Sequence, residues 1–77
     1  MKTQEFIELL KEALEVENQD LTKESNLKDI SGYDSMSILI IIALVDEKFS
    51  KKVTGQQLAS ITTISSLIDL IGLEYFD

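Results

Sequence analysis

Apolar residues recur at helical spacing in three stretches of the chain, and each stretch uses them differently. In the first, Phe6, Leu10, Ala13 and Leu14 fall at i, i+4, i+7 and i+8, with Glu5, Glu8, Glu12 and Glu15 on the opposite face. That pattern predicts an amphipathic helix from about Thr3 to Val16, with Thr3 as N-cap. Near the other end, "TTISSLIDLIG" places Ile64, Leu67, Ile68 and Ile71 on one stripe. It predicts a helix capped by Thr62 or Thr63 and ending near Gly72. Between them lie eight consecutive apolar residues, Ile38 to Val45. They predict a helix from Ser35 to about Phe49, with Asp34 as N-cap. "TGQQLAS" reads as a short third helix capped by Thr54. Residues 17–33 form a long connection that a compact domain must pack, and Leu21, Leu27 and Ile30 are its candidate anchors. "SNLKDI" within it reads as one helical turn capped by Ser25. Strand signals are weak, Pro is absent and no repeat or linker interrupts the chain. The expected fold is all-α: a four-helix bundle with a long first loop and a short third helix, residues 1–77 forming a single domain.

The run in the second helix exceeds what a bundle of this size buries, because an amphipathic surface helix needs only one apolar stripe. Placed at about 100° per residue, Ile38, Ile41, Ile42, Val45 and Phe49 cluster as the core stripe. Met36, Ile40, Ala43, Leu44 and Glu47 cluster on another side, at i, i+4, i+7, i+8 and i+11. The second stripe reads as a docking face for partner proteins. Two other readings stand beside it: cover by the long loop and third helix, or self-association through Ile40.

Charge and composition narrow the function. The net charge is −7, the wrong sign for a nucleic-acid surface or for docking on an anionic membrane. Partners with basic patches fit better. The start, "MKTQEF", lacks a signal peptide's apolar stretch, and Ile38–Val45 is too short to span a bilayer, so a cytoplasmic protein without membrane insertion is expected. Nine of the fourteen acids lie in residues 1–34, which leaves the second half near neutral. With neither Cys nor His in the chain, no thiol, zinc or Ser-His-Asp chemistry is available within it. An enzyme is therefore not expected. A monomer is.

The candidate chemical residue is Ser35, held between Asp34 and Met36. On local sequence alone Asp34 and Ser35 read first as a helix-capping pair, since Asp and Ser both cap well. No base in the chain can activate it as a nucleophile, so any chemistry at Ser35 needs a separate modifying enzyme. A phosphate ester at this position would meet free backbone N–H groups and the positive end of the helix dipole. Asp34 could hold a divalent cation beside it.

"GYDSM", residues 32–36, resembles the Gly-x-Asp-Ser-Leu site of acyl carrier proteins, a family of small acidic four-helix bundles. The resemblance extends through helix one, the long loop, Asp46, Glu47 and Phe49, and the entry to helix four at Ile61-Thr62-Thr63-Ile64. It implies that Ser35 receives 4'-phosphopantetheine from coenzyme A through a phosphopantetheinyl transferase, with Asp34 assisting metal binding during modification. It implies that acyl groups ride as thioesters on the arm's terminal thiol. It also implies partners of three kinds: acyl- or aminoacyl-activating ligases, acyltransferases and synthases. The stripe Met36, Ile40, Ala43, Leu44 and Glu47 would meet them.

The chain also departs from the family pattern. Met36 replaces the usual Leu, and Ile40 stands where fatty-acid carriers have an acid. Gly55, Gln56, Gln57 and Ala59 replace acids common in the third helix. These departures predict a specialised carrier of unusual acyl, hydroxyacyl or aminoacyl groups, docking through apolar contact more than charge. The alternatives are an aminoacyl or peptidyl carrier, and a helical interaction module with no prosthetic group, in which Ser35 is only a cap.

Overall fold

A computed structural model describes all of residues 1–77. Four α-helices, α1 (Thr3–Ala13), α2 (Ser35–Phe49), α3 (Gly55–Ala59) and α4 (Ile64–Ile71), form an all-helical bundle, with short 3-10 turns at Leu27–Asp29 and Leu73–Tyr75. The sixteen buried hydrophobic residues make one continuous cluster. Ile64, Leu67, Ile68 and Ile71 of α4 are all within it. From α2, Ile41, Val45 and Phe49 are buried, while Ile38 and Ile42 pack at its edge. The core stripes expected of α2 and α4 therefore hold.

Three local expectations need correction. The N-cap of α1 is Lys2, not Thr3. The Glu5 carboxylate reaches back and accepts from the Lys2 N–H at 3.1 Å, which starts the helix at Thr3 itself. The same helix stops at Ala13, three residues before Val16. Glu15 takes a left-handed conformation, φ 59°. The Val16 N–H then bonds the Lys11 carbonyl at 2.9 Å and the Glu15 N–H bonds that of Glu12 at 3.2 Å, a Schellman ending without its usual glycine. It turns Val16 into the core. Finally, the cap of the loop's 3-10 turn is Asn26, whose side chain accepts from the Lys28 N–H at 2.9 Å. Ser25 caps elsewhere, accepting from the Thr22 N–H at 2.9 Å.

The long loop is part of the core. Leu21, Leu27 and Ile30 are buried as expected. Its backbone is tied to the head of α4: Ile64 N–H to Ser25 O at 3.0 Å, Ser65 N–H to Lys23 O at 2.8 Å, and Leu27 N–H to Thr62 O at 2.8 Å. Free donors at a helix start need partners. At α4 the loop carbonyls and the Thr63 hydroxyl, which accepts from the Ser66 N–H at 3.1 Å, supply them.

Aromatic rings close the far end. Phe6 meets Phe49 edge-on with centroids 5.7 Å apart, and Phe76 at 5.4 Å. Tyr75 stacks edge-on against Phe49 at 5.7 Å. Phe49 is the last residue of α2, so this clamp fixes one end of that helix. Ser35 stands at the other, about 20 Å away along the axis.

Candidate functional site at the head of the second helix

Asp34 and Ser37 lock the start of α2 reciprocally. Asp34 Oδ1 accepts from the Ser37 N–H at 3.1 Å and from the Ser37 hydroxyl at 3.3 Å. Ser37 Oγ accepts from the Asp34 N–H at 3.1 Å. Ser37 is the one buried polar residue of the chain, and these bonds satisfy it. The sequence reading missed this role. Its signal was the third position of a capping box, where Ser stands in place of Glu or Gln.

Ser35 sits between these partners and joins none of the bonds. It is exposed, and its hydroxyl makes no internal hydrogen bond. The N–H groups of Ser35 and Met36 also lack internal partners. This is the reverse of α4, whose corresponding donors are consumed by the loop. The head of α2 thus presents an exposed hydroxyl beside two unpaired N–H donors at the positive end of a fifteen-residue helix. That donor set suits the single negative charge of a phosphodiester. The Asp34 carboxylate opposes it by charge, and its second oxygen, Oδ2, is free of internal bonds.

The other predicted residues separate into two groups. Met36 is 61% exposed, and Ala43 and Glu47 also face solvent. Ile40 and Leu44 are half-buried and turn toward α1, where Ile40, Ala43, Leu44 and Glu47 line one groove with Leu9 and Ala13. Leu39, 59% exposed, was missed. It lies opposite the Ile41–Val45 stripe, beside Met36 and Ala43, and counting around the helix from that stripe identifies it. Below Tyr33, a cavity of about 130 Å³ opens between the loop, α2 and α3, lined by Leu27, Ile38, Leu58 and Ile61 among others. Burial raises the Tyr33 phenol above its ordinary pKa of 10.0.

The sequence profile of the family described as "Phosphopantetheine attachment site" matches residues 4–71. The chain belongs to this family, that of the acyl carrier proteins: it is a carrier of covalently attached 4'-phosphopantetheine and not an enzyme. Among similar curated proteins, an "Acyl carrier protein" of Coprothermobacter proteolyticus is 29% identical over 68 residues, covering 88% of this chain and 83% of the relative. An "Acyl carrier protein" of Syntrophobacter fumaroxidans is 22% identical over 67 residues, covering 87% of this chain and 83% of its own length. Membership of the family implies interaction with a phosphopantetheinyl transferase and with acyl-handling enzymes. No helix is long and apolar enough to cross a membrane.

Proposed function

We propose that Ser35 is the attachment point of 4'-phosphopantetheine and that residues 1–77 act as one monomeric carrier domain for acyl groups in a specialised pathway. The observation that carries this reading is the open head of α2, where an exposed hydroxyl stands beside two unpaired N–H donors in a chain of the carrier family. When bound, the group supplies a terminal thiol on a flexible arm, on which acyl cargo is held as a thioester.

In the loading reaction, Ser35 Oγ bonds to the phosphorus of coenzyme A that bears the pantetheine. The pyrophosphate bond breaks, and adenosine 3',5'-bisphosphate leaves. The hydroxyl proton goes to a base of the transferase, because the chain has no His or Cys and Asp34 is committed to capping through Oδ1. Asp34 Oδ2 remains available for a divalent cation. Such a cation offsets the repulsion between this carboxylate and the incoming phosphates, which is the assisting role assigned to Asp34.

The outer face of α2 supports a dedicated partner set. Met36, Leu39 and Ala43 are exposed with no acid between them on that face until Glu47, and Ile40 occupies the place of a carboxylate. A partner ligase, acyltransferase or synthase docks here more by apolar contact than by charge. The names of both relatives favour acyl over aminoacyl cargo. The test is incubation with coenzyme A, magnesium and a broad-specificity transferase, read by intact mass. The native chain gains the mass of the prosthetic group, and Ser35→Ala gains none while melting as the native chain does. Loading of Ser35→Ala would overturn the assignment.

A further inference from the structure

We propose that the groove between α1 and α2 is a docking site for a basic amphipathic helix of a partner protein. This rests on the carrier reading, which requires successive partners, and extends the α2 stripe by the face of α1 that Leu9, Glu12 and Ala13 present beside it. The groove has a volume of about 400 Å³, and Leu9 and Ala13 of α1 and Ile40 and Leu44 of α2 form its apolar floor. All four are half-buried, so the side chains are held in place by the bundle yet still offer apolar surface. Along α2 it runs from Ile40 to Lys48, about 12 Å, or two helical turns. Two turns of an apolar stripe laid between two helices match that length.

The rim selects the occupant. Glu12 and Glu47 border the groove. Beside it a second hollow, which shares Leu9 and Glu12, is lined by Lys2, Gln4, Glu5 and Glu8. Against these stand Lys48, paired with Glu47 at 3.4 Å, and Lys2 of the second hollow; Lys11, outside both linings, pairs with Glu8 at 3.7 Å. Glu12 has no ion-pair partner. The rim is net acidic, so a cationic helix gains most at Glu12, which has no competing lysine, while its apolar stripe covers the floor. A second copy of this chain would bring an equally acidic rim and a net charge of −7 against the first, and is disfavoured by like-charge repulsion. Ile40 lies five residues from Ser35, about 7–8 Å along the axis, so a helix seated here ends close to the attachment point without covering it.

The probe is a short helical peptide with leucines on one stripe and lysines elsewhere. A scrambled isomer lacking the stripe and a glutamate-for-lysine version serve as controls. Titrations use the full chain carrying Ser35→Ala, followed by amide chemical shifts, binding curves and sedimentation. The striped lysine peptide is expected to bind, moving the amides of Leu9, Ala13, Ile40 and Leu44, and neither control to match it. Added Glu12→Lys should weaken binding about tenfold. Added Asp69→Lys, an equal charge change on α4 outside the groove, should weaken it less than about twofold, as general screening allows. Leu9→Gln, its fold checked by thermal melt, should also weaken binding. Shifts confined to another face, equal binding of the scrambled peptide, equal losses from Glu12→Lys and Asp69→Lys, or a dimer occupying the groove would each overturn the proposal. Because Ser35→Ala cannot be loaded, failed docking counts against the groove alone. Failed loading of the native chain counts against the attachment reading alone.

Discussion

At the scale of single residues, Asp34 caps α2 through Oδ1, and the proposed cation-holding role falls to Oδ2; substitution can separate the two. Asn caps helices as well as Asp, so Asp34→Asn keeps the acceptor for the Ser37 N–H but loses the charge. Its melting temperature should stay near that of the native chain while transferase loading slows. Asp34→Ala should lose both, with a stability cost of about 0.5–2 kcal/mol by denaturant titration. Equal loading rates for Asp34→Asn and the native chain would remove the cation-holding role and leave a pure cap. Tyr33 gives a second residue-scale expectation. Burial disfavours its phenolate and raises its folded pKa above the ordinary 10.0. Between the two values the folded state binds more protons than the unfolded state, so stability declines as pH rises. The contribution is full below pH 10 and fades as pH climbs through the raised folded value. Tyr33→Phe should flatten that alkaline slope in melts taken across the range.

At the scale of elements, the ends of helices decide what the sequence can reveal. Glu15 occupies a left-handed position, φ 59°, that costs an L-residue roughly 1–2 kcal/mol and that glycine adopts freely. It is exposed, so Glu15→Gly sacrifices no core contact. Allowing for the added freedom of glycine in the unfolded chain, the variant should gain about 0.5–1 kcal/mol, some 2–8 °C in melting temperature for a domain of this size. An unchanged or lower melting temperature would show that the turn carries no such strain. The same residue explains why α1 was read three residues too long: its apolar spacing runs on through Val16, and no glycine announces the stop. Where a short polar side chain caps the helix, as at Asp34, Thr54 and Thr63, the starts of α2 and α3 were legible to the residue and that of α4 to within one, since Thr62 and Thr63 both offer a cap. At α1, Lys2 offers no such signal. The stripes of α2 and α4 could be read because the helical period alone fixes them. Which members of the second α2 stripe are exposed could not, because that depends on where α1 lies. Its approach half-covers Ile40 and Leu44 and leaves Met36, Leu39 and Ala43 open. At the site, the motif, the cap and the free N–H groups of a helix start were readable, whereas the contrast with α4, whose donors the loop consumes while those of Ser35 and Met36 stay unpaired, needed the path of the loop.

At the scale of the whole molecule, apolar packing works against unbalanced charge. Fourteen acids face seven lysines, and the ion pairs are few and at the surface: Lys11–Glu8 at 3.7 Å, Lys48–Glu47 at 3.4 Å and Lys52–Asp46 at 2.9 Å. Exposed pairs of this kind contribute at most about 1 kcal/mol each, and two of the three are longer than 3 Å. Compaction therefore brings together seven uncompensated negative charges, with the acidic face of α1 contributing Glu5, Glu8, Glu12 and Glu15 along one helix. A domain of this size has a small margin of stability to set against that repulsion. Added salt shortens the Debye length to about 8 Å at physiological strength and about 3 Å at 1 M, which screens distant acids before it weakens the close ion pairs. The melting temperature should thus rise with sodium chloride, and magnesium should raise it at lower concentration because a divalent ion neutralises more charge wherever it associates. Changing Glu8 to Gln would remove one repulsive charge but also the Lys11 pair. Glu12→Gln removes a charge that has no partner, and is the cleaner comparison. Its melting temperature should exceed that of the native chain at low salt and converge with it at high salt. If the two melt alike at low salt, or if salt leaves the native melting temperature unchanged, self-repulsion is minor and the acidic face is free to serve recognition without cost to the fold.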